Sequence, residues 1–256
     1  MLTEYCDGIH FREHPVFSAD PNALRLHFYE DEFEVVNPLG SKKNKHKLCA
    51  IYYTVGNVHS RYRSQLKHIH LALLVRYKCV QQCGLDSILQ PMLKDLQELT
   101  SNGVTVTVNG IDYKIQVAIA TISGDYLSAH LIGGFTMSFS TGCIGRQCMA
   151  TYGDIKEKFS EDQFQLRTSE VHKYHLQSMR ENPENSAIYG VRSRCPFEEL
   201  NYFDTTTAFP PDLMHDFLEG VIPLVLKLVL TKAHRERHIT LHELSEEIKK
   251  NTYWSK

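Results

Sequence analysis

An α/β fold built on a mixed sheet is what the sequence predicts, and three stretches carry that prediction. Leu24-Arg-Leu-His-Phe-Tyr-Glu30 alternates apolar and polar residues, Leu85 to Leu99 repeats apolar residues at three and four, and Val117 to Ile122 is apolar without alternation. These are the patterns of a half-buried strand, an amphipathic helix, and a central strand covered on both faces.

Taken in order, residues 24–30 form a first strand with Leu24, Leu26 and Phe28 on one face and Arg25, His27 and Tyr29 on the other. Asp31 continues the second, more polar face. Asn37-Pro-Leu-Gly-Ser41 is a turn or loop, and Leu48–Val55 and His68–Val75 are rich enough in apolar, β-branched and aromatic residues to be the next two strands. The helix of Leu85 to Leu99 is closed by Asn102-Gly103, with Pro91 expected near a kink. Val104–Val108 and Ile111–Ile115 flank Asn109-Gly110, the strongest short hairpin signal. Val117–Ile122 follows as the central strand, and Asp125 leaves its carboxyl end. Tyr126 to Ile132 reads as a short helix stopped by Gly133-Gly134. Beyond Phe135 come a cysteine-bearing loop, a charged helix around Gly153 to Arg180, a polar link through Asn182, and an apolar helix after Pro210-Pro211.

Three strands, a helix, a hairpin and a central strand give the order of an RNase H-like α/β domain with a hairpin inserted before its fourth core strand and a mainly helical region after it. In that fold the first and fourth strands are neighbours, so Asp31 and Asp125 are expected to meet. Two carboxylates at adjacent strand ends suit a divalent metal site for phosphate chemistry. Each also has a plainer reading. Asp31 lies among solvated acids (Glu30, Glu32, Glu34), and Asp125 is a good helix N-cap.

The 256 residues, 42% hydrophobic, suffice for one large core or two modest ones. The longest apolar run, Gly220 to Leu230, is too short for a membrane span and is broken by Pro223 and Lys227. The N-terminus lacks the pattern of a secretory signal, and seven irregularly spaced cysteines favour a reducing compartment. Net charge is only −2, yet Ser41 to Lys78 holds nine Lys or Arg and no acid. That makes Lys42, Lys43, Lys45, Lys47, Arg61, Arg63 and Lys67 candidates for phosphate contacts, with lysine protection of a sheet edge as the plainer reading.

The ordered motifs Phe28-Tyr-Glu-Asp-Glu-Phe-Glu-Val-Val-Asn-Pro-Leu-Gly-Ser41, Gly124-Asp-Tyr-Leu-Ser-Ala-His130, Gly145-Arg-Gln-Cys-Met-Ala-Thr151 and Phe209-Pro-Pro-Asp-Leu-Met-His-Asp-Phe-Leu-Glu-Gly220 resemble the catalytic region of CACTA (En/Spm-like) transposases and their animal relatives. The resemblance implies D-D-E chemistry on DNA at transposon ends, in the nucleus, with Asp31 and Asp125 holding Mg²⁺ or Mn²⁺. It places the third acid on a later helix, beyond Lys256, with Glu219 as the alternative within the chain. It also implies zinc bound through a Cys-x2-Cys pair. Here Cys148 fits the second cysteine, Gly145 stands at the first, and Cys143 gives a Cys-x4-Cys spacing that zinc still tolerates. His172, His175, Cys195 and His215 are the candidate partners, with His215 preferred because it matches the family motif.

The expected organisation is a leader at 1–23, the first part of the core at 24–142, a zinc-binding insertion at 143–200, and a helical region at 201–256 that stops before the core is complete. A fragment of this kind leaves two readings open. One is strand cleavage and transfer, incomplete in this chain; the other is an inactive or co-opted piece that binds DNA or a protein partner. The apolar face of Val221 to Leu230 adds self-association as an expectation.

Overall fold

The computed structural model describes residues 4–35 and 47–250. The chain separates into two compact units, Met1–Pro210 and Pro211–Lys256.

The first unit is organised by a four-stranded mixed sheet in the order β3-β2-β1-β6. Its strands are β1 (Leu24–Glu34), β2 (Lys47–Val55), β3 (His70–Arg76) and β6 (Val117–Gly124). β1 pairs antiparallel with β2 and parallel with β6, and β2 pairs antiparallel with β3. The strand expected over residues 24–30 runs four residues further, because the acids from Glu30 to Glu34 stay paired with Ile51 to Lys47. The hairpin β4 (Val104–Val108) and β5 (Ile111–Ile115) forms a separate two-stranded sheet. Asn109 at φ 53° and Gly110 at φ 78° take the left-handed conformation that a two-residue hairpin turn needs.

Between β3 and the hairpin lie the helices α1 (Tyr77–Cys83) and α2 (Leu85–Ser101). α2 buries Leu89, Leu93 and Leu96 in one cluster with Leu26, Phe28, Val117, Ile119 and Ile122. Pro91 lies within it, and Asn102 and Gly103 end it with N–H donations to Glu98 and Leu99 carbonyls. Cys79 and Cys83 fall on α1, Cys79 half-buried and Cys83 exposed. The first residues do more than lead in. Short helices at Ile9–Glu13 and Pro15–Ala19 place Val16 and Phe17 in the main core.

After β6, α3 (Tyr126–Gly133) ends on Gly134 at φ 73°. A side chain there would meet the Ser193 carbonyl at 2.1 Å, so glycine is required by both conformation and space. The charged helix expected from Gly153 to Arg180 is instead two pieces, Asp154–Glu157 and α4 (Ser169–Glu181). Between them the chain is drawn across the cysteine loop by the Cys148–Leu166 bridge and by N–H donation from Arg167 to Gln147. Periodicity in the intervening acids and lysines does not outweigh those contacts.

β6, expected as a central strand, is instead an edge strand of this sheet, buried on its faces by packing, and the segment after α4 closes part of its free edge. Ile119 N–H donates to the Tyr202 hydroxyl at 3.2 Å and Ile122 N–H to the Ala208 carbonyl at 2.8 Å. A buried N–H without an acceptor is costly, so these two contacts stabilise the strand where it lacks a neighbour.

The second unit starts with a π-helical stretch, Leu213–Val221, capped by Asp212, and continues as α5 (Ile222–Arg235) and α6 (Leu241–Lys250). Leu224, Val225, Leu226, Leu228 and Val229 are exposed on α5. Among the described residues no helix is long and apolar enough to cross a membrane.

Tyr202→Phe is expected to lower unfolding free energy by about 1–3 kcal/mol, since it removes the acceptor of Ile119 N–H and leaves ring packing in place. Urea denaturation of both proteins checks this, and equal stability would mean that the edge contact contributes nothing.

Candidate functional site

The parallel register of β1 on β6 ends with Glu30 opposite Gly124. Asp31, within β1, and Asp125, just past the end of β6, each follow that last pair by one residue. The ninety-four positions between Glu30 and Gly124 therefore close to one strand spacing, about 5 Å. A side chain on Gly124 would lie 3.0 Å from the Glu30 carbonyl and 3.1 Å from Ser128 Cβ, so the bare backbone is what lets α3 start this close to β1.

The pleat then separates the acids of β1. Glu30 follows Leu26 and Phe28 on the buried face and is 1% exposed, whereas Asp31 points to the opposite face and is exposed. Asp125 is half-buried, and its Oδ1 accepts the Ser128 N–H at 2.7 Å as the N-cap of α3. Capping fixes the position of the Asp125 carboxylate relative to the strand ends.

Glu30 is an acid that the sequence reading grouped with solvated neighbours. Its Oε1 accepts from the Cys49 thiol at 3.1 Å, and its Oε2 is buried without a hydrogen-bond partner. Burial pushes its carboxyl up to about 7, the Ser128 hydroxyl and Cys49 thiol oppose that shift, and the charges of Glu32 and Asp125 add to it. The signal was present in the sequence, because Glu30 has the same parity as Leu26 and Phe28.

His27 and His130 are both core histidines. His27 Nδ1 meets Thr121 Oγ1 at 2.8 Å beneath the Tyr5 ring. His130 is 1% exposed and donates Nδ1–H to the Thr136 carbonyl at 2.7 Å. Its Nε2 is buried and unpartnered, and burial lowers its pKa to about 4.

Carboxylate oxygens are the hard donors that Mg²⁺ and Mn²⁺ take, so Asp31 and Asp125 fit such an ion in kind. Among the described residues, no group of three or more His, Cys, Asp or Glu converges as a metal site. The pair is therefore a two-carboxylate arrangement. Glu219 belongs to the second unit.

Among the described residues the zinc candidates likewise form no group of three or more metal-type side chains. Cys143 is buried, and its Sγ receives a hydrogen bond from Arg167 Nη2 at 3.2 Å. His175 Nδ1 faces Arg167 Nη1 at 3.2 Å, and His172 Nε2 lies 3.7 Å from Glu198 Oε1. Cys195 is fully buried in the main core, and His215, in the second unit, holds Asp212 Oδ2 at 2.6 Å. A Cβ on Gly145 would lie 2.4 Å from the Cys148 carbonyl, so a cysteine at that position requires the loop to move. The donor set present does not fit zinc.

Of the basic candidates, Lys42, Lys43 and Lys45 lie outside the described residues. Lys47 is paired with Glu32 and rests 4.9 Å from the Tyr77 ring centroid. Arg63 holds Glu4 and the Gly56 carbonyl, both at 2.9 Å. Arg61 and Lys67 are exposed, on the short helices Ser60–Arg63 and Leu66–His68.

His130 sets an expectation for acid stability. Its folded pKa is below the unfolded value near 6.5, so between about pH 6.5 and about pH 4 the unfolded chain binds the extra proton and stability falls as pH falls. His130 is expected to account for roughly 2 kcal/mol of the loss between about pH 7 and about pH 5. Urea midpoints of wild type and His130→Phe at both pH values check this, and an unchanged pH slope in the variant would refute it.

No curated protein matches the chain. A family profile described as Transposase family tnp2 matches residues 7–171, a span that takes in both aspartates, the sheet and the cysteine loop. The chain belongs to the tnp2 family of transposases.

Proposed function

We propose that this transposase-family chain carries the first part of an RNase H-like, CACTA-type catalytic core that cleaves and transfers DNA strands in the nucleus, with Asp31 and Asp125 as two of its three acids. The reading is supported above all by the register of β1 on β6, which ends one residue short of both aspartates. Asp125 then follows the carboxyl end of β6, a common position for sites in α/β sheets, and Asp31 follows the last β1 residue paired with β6.

Asp31 and Asp125 would hold Mg²⁺ or Mn²⁺, which in phosphodiester chemistry stabilises charge on the attacking and leaving oxygens. Asp125 is held in position by the Ser128 N–H, and the exposure of Asp31 keeps its carboxylate accessible to a phosphate backbone. Arg61 and Lys67, with Lys42, Lys43 and Lys45, supply cations for that backbone, whereas Lys47 and Arg63 are engaged with Glu32 and Glu4. Self-association belongs to the same proposal and is supported by the exposed Leu224, Leu226 and Leu228 of α5.

The alternative is a chain that binds DNA or a protein partner without cutting. It is favoured by the lack, among the described residues, of any group of three or more His, Cys, Asp or Glu placed to hold a metal.

Titration of the full chain with Mn²⁺ tests the metal site. Asp31→Asn and Asp125→Asn are each expected to weaken binding at least about tenfold, and unchanged affinity in both would remove the site. A supercoiled plasmid incubated with Mg²⁺ or Mn²⁺ separates the two functions. Nicking that both variants lose supports catalysis, and salt-dependent binding without nicking supports the alternative.

A further inference from the structure

Arg167 is a buried cation whose guanidinium makes several contacts at once. It is 3% exposed, and its guanidinium reaches four separate pieces of chain. Nη2 donates to Cys143 Sγ at 3.2 Å, to the Gly145 carbonyl at 3.1 Å and to the Tyr189 carbonyl at 2.8 Å. Nη1 donates to His175 Nδ1 at 3.2 Å, which assigns the His175 ring proton to Nε2. The guanidinium carbon lies 5.4 Å from the centroid of the Phe135 ring, and the His175 ring stacks on Tyr189 at 4.2 Å and 12°. Around this hub the backbone closes with isolated bridges, Phe135 to Val191, Cys143 to Thr151 and Cys148 to Leu166.

We propose that Arg167 is the structural cation of the region from Phe135 to Val191. Its guanidinium takes the place that the transposase pattern reserves for zinc, so the cysteine loop folds without metal. Two arguments support this beyond the contacts themselves. A guanidinium has its donors in a fixed planar fork, so one group satisfies the Gly145 and Tyr189 carbonyls as well as Cys143 and His175. A metal ion between Cys143 and His175 would have to displace it and leave both carbonyls without that donor. The glycine at position 145 is the second argument, because the loop geometry that brings its carbonyl to Arg167 also closes the space for a cysteine side chain there. The inference does not rest on the catalytic reading, since neither Asp31 nor Asp125 takes part.

The test uses the full chain, produced in zinc-supplemented medium and desalted. Elemental analysis is expected to find no stoichiometric zinc, and the melting temperature is expected to be the same with and without 1,10-phenanthroline. One zinc per chain, removed by the chelator with a fall in melting temperature, would overturn the proposal. Arg167→Met keeps most of the side-chain volume and removes the donors. It is expected to lower the melting temperature by roughly 5–15 °C, with Arg167→Lys intermediate. Wild-type stability in Arg167→Met would also overturn it. If Arg167→Met cannot be isolated folded, the zinc content and chelator response of wild type decide the question alone. DNA nicking and Mn²⁺ affinity are separate readouts, so failure here leaves the catalytic reading untouched, and the reverse also holds.

Discussion

The parallel pairing of β1 with β6 is the constraint on which the rest of the first unit depends. It joins two segments separated by β2, β3, the helices α1 and α2 and the hairpin, and its closure cost must be met by burial of Leu26, Phe28, Val117, Ile119 and Ile122 against α2. Its register also has chemical meaning. Side chains alternate along a strand, so a slip of one residue would turn Asp31 toward the core and Glu30 toward solvent. The β6 irregularity at Ala120, where Leu26 pairs with Ile119 and His27 with Thr121, is absorbed well before the strand ends and leaves Glu30 level with Gly124. Gly124 completes the arrangement by letting α3 start against the backbone of β1.

Burial treats adjacent carboxyl groups differently. Glu30, packed behind the strand ends, shares a proton environment with Cys49 and is shifted toward its neutral form, while Asp31 projects into water. His130 and His172, also buried, are held neutral as well, each with its pKa lowered to about 4. Behind the strand ends Glu30 and His130 are thus both shifted toward their neutral forms, while Asp31 is exposed.

Most of the sheet was legible because its signals are local. Asn109-Gly110 dictates its own turn, the heptad-like spacing of α2 shows which side is buried, and the unbroken apolar run of β6 marks a strand covered on both faces. The pairing of first and last core strands followed from element order alone. What could not be read was decided by tertiary contacts. The residues between Gly153 and Arg180 have helical composition, but the Arg167 hub and the Cys148–Leu166 bridge hold the middle of that stretch extended. Glu30 is the instructive miss at the site. Chemical similarity grouped it with Asp31, whereas period-two alternation, applied to the same residues, assigns it to Leu26 and Phe28. Arg167 gave no motif at all, because a structural cation is defined by acceptors that come from four places in the chain.

The Arg167 region and the helix that Asp125 caps are nevertheless linked through packing. The guanidinium lies over Phe135, Phe135 packs against His130 at 5.6 Å, and His130 is part of the helix that Asp125 caps. Phe135 N–H also donates to the His130 carbonyl, and Arg192 and Ser193 both donate to the Gly134 carbonyl. The carboxyl end of α3 is thus anchored in the region that Arg167 organises, while its amino end holds Asp125. A well-packed interior transmits displacement because it has little free volume to absorb one. Loss of the hub would therefore loosen the far end of the helix whose N-cap is the candidate metal ligand. Structural order in the cysteine loop then bears on the site by positioning α3, and it does so through side-chain packing that needs no shared ligand.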